Sequence, residues 1–225
     1  MFKISILGQK GGTGKTTTGL SLAVAATRDG LASVIIDLDP QANAANWKDR
    51  RSEDNPAVVS SPVSRLKQTV QTAQEHGAEF VVIDTPGKSD SAAMEAARIA
   101  DIVLLPVRPQ IFDLETLAGM RDLLRVASTA PVYVILNGLH PQATKQADET
   151  KVLIEDIYGF PVCPVHLCNR STYAAAPAMG KAPQEYEPQG RAAEEIDHLY
   201  MFITEQLNML ASDHEQKSQS LATGT

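Results

Sequence analysis

Short apolar runs alternate along the chain with longer segments whose apolar residues recur every three or four positions. The runs Phe2–Leu7, Val34–Asp37, Phe80–Asp84, Ile102–Val107, Val132–Leu136 and Val162–Leu167 have strand length and read as buried parallel strands. Between them, Thr16–Asp29, Pro62–His76, Ser91–Ala100, Leu114–Ala127 and Gln146–Tyr158 have helical length and spacing, with Gly30 and Gly77 just past two of their ends as C-terminal stops. A last helix is expected over Glu194–Leu210, with Ile196, Leu199, Tyr200, Ile203, Leu207 and Leu210 on one stripe. Alternation of this kind predicts an α/β fold, a doubly wound, mostly parallel sheet flanked by helices, with ligands beyond the carboxyl ends of the strands. One domain is expected over residues 1–210, followed by a polar, aromatic-free, disordered tail over 211–225. The turn-rich stretch Ser52–Ser61 reads as a surface connection.

Composition narrows the setting. Only two cysteines, Cys163 and Cys168, no long apolar run and a first strand beginning at residue 2 lead to the expectation of a cytoplasmic protein without leader or membrane span. The cysteine spacing has no zinc pattern and points to buried, inert thiols. A net charge of −7 argues against a chain that is basic overall, while leaving room for a local basic patch, above all one assembled from two subunits.

The chemistry concentrates after the first strand, in Lys10-Gly-Gly-Thr-Gly-Lys-Thr-Thr17. Gly11, Gly12 and Gly14, with Thr13 between them, let backbone N–H groups turn inward around phosphate oxygens. The helix opening at Thr16 and Thr17 adds its positive end. Lys15 supplies a charge to the β and γ phosphates, and the Thr16 hydroxyl is placed for Mg²⁺. Gln9 stands where the general pattern has its first glycine. A lysine at position 10, in the arrangement K-G-G-x-G-K-T-T, resembles the deviant Walker A loop of the ParA/MinD family of ATPases, which implies a P-loop NTPase fold and slow, Mg²⁺-dependent hydrolysis of ATP.

Two more strand ends deliver acids to the same edge. Phe80-Val-Val-Ile-Asp84 ends in Thr-Pro-Gly, and Asp84 fits the Walker B role of holding Mg²⁺ directly or through water. Val34-Ile-Ile-Asp37 continues as Leu-Asp39-Pro-Gln41, similar to the family's DxDPQ motif. That resemblance gives Asp39 the orientation or activation of the attacking water and Asp37 support of the magnesium shell or the P-loop. An aspartate after a strand also serves as a helix cap or turn former, but two such ends behind one P-loop favour the nucleotide reading. Pro106-Val-Arg-Pro-Gln-Ile-Phe-Asp113 resembles the family's proline-rich loop. Asn137 matches the position where relatives read the adenine edge, and is equally a common turn residue at a strand end.

Lys15 suffices for its own site, so Lys10 calls for another purpose. By resemblance it crosses to the nucleotide of a facing subunit, so that two ATP molecules are sandwiched in a homodimer in which Gly12 must be small where the loops approach. Loss of the γ phosphate then undoes the dimer.

The family uses such dimers to bind DNA non-specifically and position cargo, to bind membranes, or to transfer electrons. The polar end Ser212–Ser220 has no apolar basic face for a direct membrane anchor, and Cys163 and Cys168, together late in the chain, do not match the separate loops in which the electron-transfer branch of the family carries its two cysteines. DNA-dependent positioning is therefore expected, with nucleoid localisation and hydrolysis stimulated by a ParB-like or other cargo-linked partner. Lys145, Lys151, Arg170, Lys181 and Arg191 are the candidate DNA contacts, each also readable as ordinary surface charge. Thr172 occupies the position of the DNA-binding arginine of some relatives. The resemblance covers residues 1–208 and corresponds to the short class without an N-terminal helix-turn-helix extension. A MinD-like ATPase acting at a membrane through a partner is the alternative, and the cargo is not legible.

Overall fold

The computed structural model describes the backbone of residues 1–222 and side chains through Ser212. Its strands form one seven-stranded parallel sheet in the order β3-β2-β4-β1-β5-β6-β7. They are β1 (Phe2–Ile6), β2 (Ser33–Asp37), β3 (Ala57–Ser60), β4 (Phe80–Asp84), β5 (Ile102–Val107), β6 (Val132–Leu139) and β7 (Leu167–Cys168). Central strands alternate between two apolar layers. Phe80 and Val82 face one, Val81 and Ile83 the other, as two-residue periodicity requires of a sheet covered on both sides.

One layer is covered by α1 (Lys15–Arg28), α2 (Asn43–Asp49) and the last helix, α10 (Arg191–Ala222). The other lies under α3 (Leu66–Glu75), α4 (Asp90–Ile99), α6 (Thr116–Ala127) and α7 (Thr144–Leu153). The one-turn α5 (Ile111–Leu114) precedes α6, and α8 (Ser171–Ala178) and α9 (Pro183–Tyr186) follow β7. The doubly wound α/β expectation holds. The stops at Gly30 and Gly77 hold too, with φ of +88° and +82° and the Leu31 and Ala78 N–H groups reaching back to Ala26 and Ala73.

Several expectations need correction. The surface connection Ser52–Ser61 contains β3, whose residues 57–60 pair with Val34–Asp37 of β2. Four residues on a half-exposed edge leave too little apolar pattern to announce a strand, and the partner strand supplies the ladder. The strand expected over Val162–Leu167 is reduced to an isolated bridge between Val162 and Val134 and the two residues of β7. Past Leu153, α7 winds on as one turn of π-helix, Ile154–Tyr158, so the helix expected through Tyr158 reaches its end in a wider form. The last helix carries its buried stripe through Leu207 and continues beyond Leu210 to Ala222. Residues 223–225 and the side chains of 213–222 lie outside the described residues; the backbone of 211–222, within the tail expected to be disordered, is helical.

Candidate functional site

The carboxyl ends of β1, β2 and β4 meet at the loop that joins β1 to α1. Gly14 ends that loop at φ +94°, and a Cβ there would lie 2.1 Å from Asn137 Nδ2. Both the backbone turn and the close approach therefore require glycine. Asn137 closes the approach by donating to the Thr13 carbonyl at 2.7 Å, so it touches the P-loop. The intrahelical ladder of α1 starts with Thr18 N–H on the Gly14 carbonyl, and no acid occupies the first turn. Its leading N–H groups and positive dipole end are left for an anion.

Lys15 is 7% exposed and folds back so that Nζ donates to the Lys10 carbonyl at 2.8 Å. Burial pulls its pKa down, against the attraction of Asp84 and Asp39. A desolvated ammonium with one carbonyl partner is well suited to an incoming phosphate oxygen.

Asp37 and Asp84 are register partners on adjacent strands. Thr16 Oγ1 donates to Asp84 Oδ2 at 2.6 Å, while Asp84 Oδ1 is buried without a hydrogen-bond partner among the described residues. Burial pushes the Asp84 carboxyl up to about 7, only partly offset by the Thr16 hydroxyl. An orphaned buried carboxylate oxygen beside a hydroxyl and a helix N-terminus fits a hard, oxygen-seeking cation such as Mg²⁺. Thr16 and Asp84 would hold it. No group of three or more His, Cys, Asp or Glu gathers among the described residues.

Asp37 is not drawn into that pair. Its Oδ1 accepts from Asp39 N–H at 3.0 Å, and its Oδ2 accepts from Ala44 and Ala45 N–H at 3.0 and 3.3 Å. Burial raises its pKa against those bonds. Those three bonds make Asp37 a builder of the loop that carries Asp39 into α2. Asp39 itself is half-buried and lines the same cleft of about 630 Å³ as Gly11, Gly12, Lys15, Thr16 and Thr17. Its Oδ1 accepts from Gln41 N–H at 2.9 Å.

The short helix α2 was not expected, and it ties this loop to the C-terminal third. Trp47, fully buried, donates from Nε1 to the Lys181 carbonyl at 3.1 Å. Arg51 forks onto Glu185 with two bonds of 2.7 Å. A Trp in a seven-residue helix and an arginine two residues past its end carry no periodic signal; only their distant partners reveal the role.

Lys10 Nζ lies 3.1 Å from Asp113 Oδ1 and 5.5 Å from the centroid of the Phe112 ring. Asp113 is 1% exposed and also takes Arg108 Nε at 2.6 Å and Nη2 at 3.3 Å. The proline-rich loop thus supplies a buried counter-ion to Lys10 within one chain. Asp113 and Arg108 stood in the quoted loop without an assigned role.

The five basic candidates sit in different surroundings. Lys145 and Lys151 sit on α7, each 4.0 Å or less from the acid one turn on, Glu149 and Glu155. Arg191, at the start of α10, is exposed and pairs with Glu194. Lys181 is exposed and has no ion-pair partner among the described residues. Arg170 is largely covered, bound to Glu195 at 2.7 Å in a network with Tyr173 and the Cys168 N–H. Thr172 is buried and donates to Glu187. Cys163 and Cys168 are free and buried, and burial pushes Cys163 up to about 11.

Comparison with known proteins gives the family and the fold. Residues 4–183 match the family described as the CobQ/CobB/MinD/ParA nucleotide binding domain. The chain is 28% identical over 216 residues to the maintenance of carboxysome distribution protein A of Gloeobacter kilaueensis, covering 91% of this chain and 93% of that one. It is 25% identical over 239 residues to the chromosome-partitioning ATPase Soj of Thermus thermophilus, covering 91% and 94%. Its fold superposes on the cell division ATPase MinD of Pyrococcus furiosus with a TM-score of 0.70, at 22% identity over 91% of this chain and 98% of that chain. With the Cyanothece McdA–ATP complex the TM-score is 0.72, at 17% identity over 91% and 96%.

Proposed function

Since the chain belongs to the CobQ/CobB/MinD/ParA nucleotide-binding family, we propose that it is a ParA-like, Mg²⁺-dependent ATPase that positions a cargo through an ATP-dependent homodimer bound non-specifically to DNA. The observation that carries the ATPase part is the Thr16–Asp84 pair, with its orphaned carboxylate oxygen beside the desolvated Lys15 at an uncapped helix N-terminus. Lys15 would neutralise the β and γ phosphates, Thr16 and Asp84 would hold Mg²⁺, which screens the charge developing on the phosphates, and Asp39 would orient the attacking water.

The dimer part rests on Lys10 and the exposed Gly11 and Gly12 on the rim of the cleft. Lys10 would leave Asp113 and cross to a facing nucleotide. Relatives named for carboxysome distribution and chromosome partitioning support a positioning role, in which a partner would choose the cargo and stimulate hydrolysis. For DNA, Lys145, Lys151, Lys181 and Arg191 remain, doubled in a dimer, and nucleoid localisation follows. No helix of the described residues is long and apolar enough to cross a membrane.

The test is binding of the Asp39→Ala protein to a random-sequence duplex in ATP and in ADP over a salt series. Binding only in ATP, falling steeply with salt, supports the reading. Absence of binding in either nucleotide, with dimer formation intact by light scattering, would refute the DNA platform and favour a protein or membrane surface.

A further inference from the structure

The nucleotide cleft contains a cation for which the P-loop does not account. Lys88 lines it together with Lys15, Thr16 and Asp39, is exposed, and has no acidic partner within ion-pair distance among the described residues. Its backbone stands at φ +65°, in the left-handed region where glycine and asparagine are at ease and lysine is strained.

The surroundings impose that conformation. Thr85 Oγ1 donates to the Ile6 carbonyl at 2.8 Å, which pins the chain leaving Asp84 to β1. Gly87 then lies flat on the P-loop: a Cβ there would be 3.2 Å from Gly11 N and 3.3 Å from the Lys10 carbonyl carbon. Immediately afterwards Ser89 caps α4, its Oγ accepting from Ala92 N–H. One residue is left to turn the chain between two anchored ends, and a residue with a long cationic side chain occupies it. Strain retained at a ligand cleft, where a small residue would relieve it, points to function.

We infer that Lys88 reads the terminal phosphate of ATP bound in the same chain. This deepens, and rests on, the ATPase reading above. If Asp84 holds Mg²⁺ at the phosphates, the loop that leaves it, which lines the same cleft as Lys15 and Thr16, would face the terminal phosphate. The Lys88 ammonium is free to donate to that group, and ADP offers it no such partner.

The experiment is calorimetric titration of wild type, Lys88→Gln, Lys88→Arg and Lys88→Asn with Mg-ADP and with Mg²⁺ and a non-hydrolysable ATP analogue. It is done at protein concentrations where light scattering shows monomer. Lys88→Gln is expected to weaken the ATP analogue about tenfold or more and ADP less than about twofold, the difference made by one charge-assisted hydrogen bond. Lys88→Arg should restore the affinity. Lys88→Asn should show the same selective loss with a raised Tm, because asparagine accepts the left-handed turn. Equal losses for both nucleotides, or no loss, would overturn the inference, as would a loss that appears only in dimer. Lys15→Ala is the control: if it kept both affinities, the ATPase reading would fall along with the inference, whereas failure at Lys88 alone leaves that reading standing.

Discussion

Replacing Asp84 by Asn should stabilise the nucleotide-free protein at neutral and alkaline pH while weakening the proposed magnesium site. The carboxyl is 1% exposed, Oδ2 accepts from Thr16 and Oδ1 accepts nothing among the described residues. Burial moves its pKa from the ordinary 3.8 to about 7. Between those values the native state holds a proton that the unfolded chain has released, so stability falls as pH rises through the window. The contribution is whole below the unfolded value and gone above the folded one. At about 1.4 kcal/mol per unit the full penalty is roughly 4 kcal/mol, of which roughly 3 kcal/mol falls between about pH 5 and pH 8. Asparagine keeps the shape and can accept the Thr16 hydroxyl without carrying charge. Urea unfolding of both proteins, free of nucleotide and Mg²⁺, at several pH values across that range should show their difference growing by about 3 kcal/mol in favour of the variant and levelling off above about pH 7.5. Parallel pH curves would refute the reasoning, because they would mean that Asp84 titrates normally or stays solvated. Mg-ATP should stabilise wild type more than the variant, since the carboxylate would be lost to the ion while Thr16 and the P-loop remain.

Other expectations follow from the same geometry. Lys10→Ala should keep ATP affinity within about threefold, since Lys15 serves the chain's own phosphates, yet give no dimer by light scattering in ATP. Asp39→Ala should bind ATP and dimerise but hydrolyse it at least about a hundredfold more slowly in a phosphate-release assay. Trp47→Ala should cost about 3–5 kcal/mol in urea unfolding, through the cavity left by a fully buried ring and the lost bond to the Lys181 carbonyl. Arg170→Met should cost about 1–3 kcal/mol by stranding the largely covered Glu195, with DNA affinity unchanged within about twofold; a selective loss of DNA binding would restore Arg170 as a contact.

What the chain determines by itself is whatever its residues settle with near neighbours. The strand Phe2–Ile6, the loop from Lys10 to Thr17 and the helix after it form a contiguous unit whose glycine spacing, strand and helix are all local, and so were legible together. Central strands are apolar on both faces and long enough to be recognised, and Gly30 and Gly77 mark helix ends through their own backbone freedom.

What lies in partners distant along the chain was decided only by the tertiary structure. Asp37 and Asp84 look alike as acids after apolar strands, yet one spends its oxygens on the backbone of residues 39–45 and the other keeps an oxygen free, a difference set by which groups surround each strand end. The strand Ala57–Ser60 exists because Val34–Asp37 offers it a ladder, and Arg170 reads as a free cation until Glu195 is brought beside it. Lys10 meets Asp113, and Lys88 is bent into the left-handed region, for the same reason. Charges and edge strands take their meaning from desolvation and pairing, and those depend on the groups that folding brings around them rather than on the residues next to them in the chain.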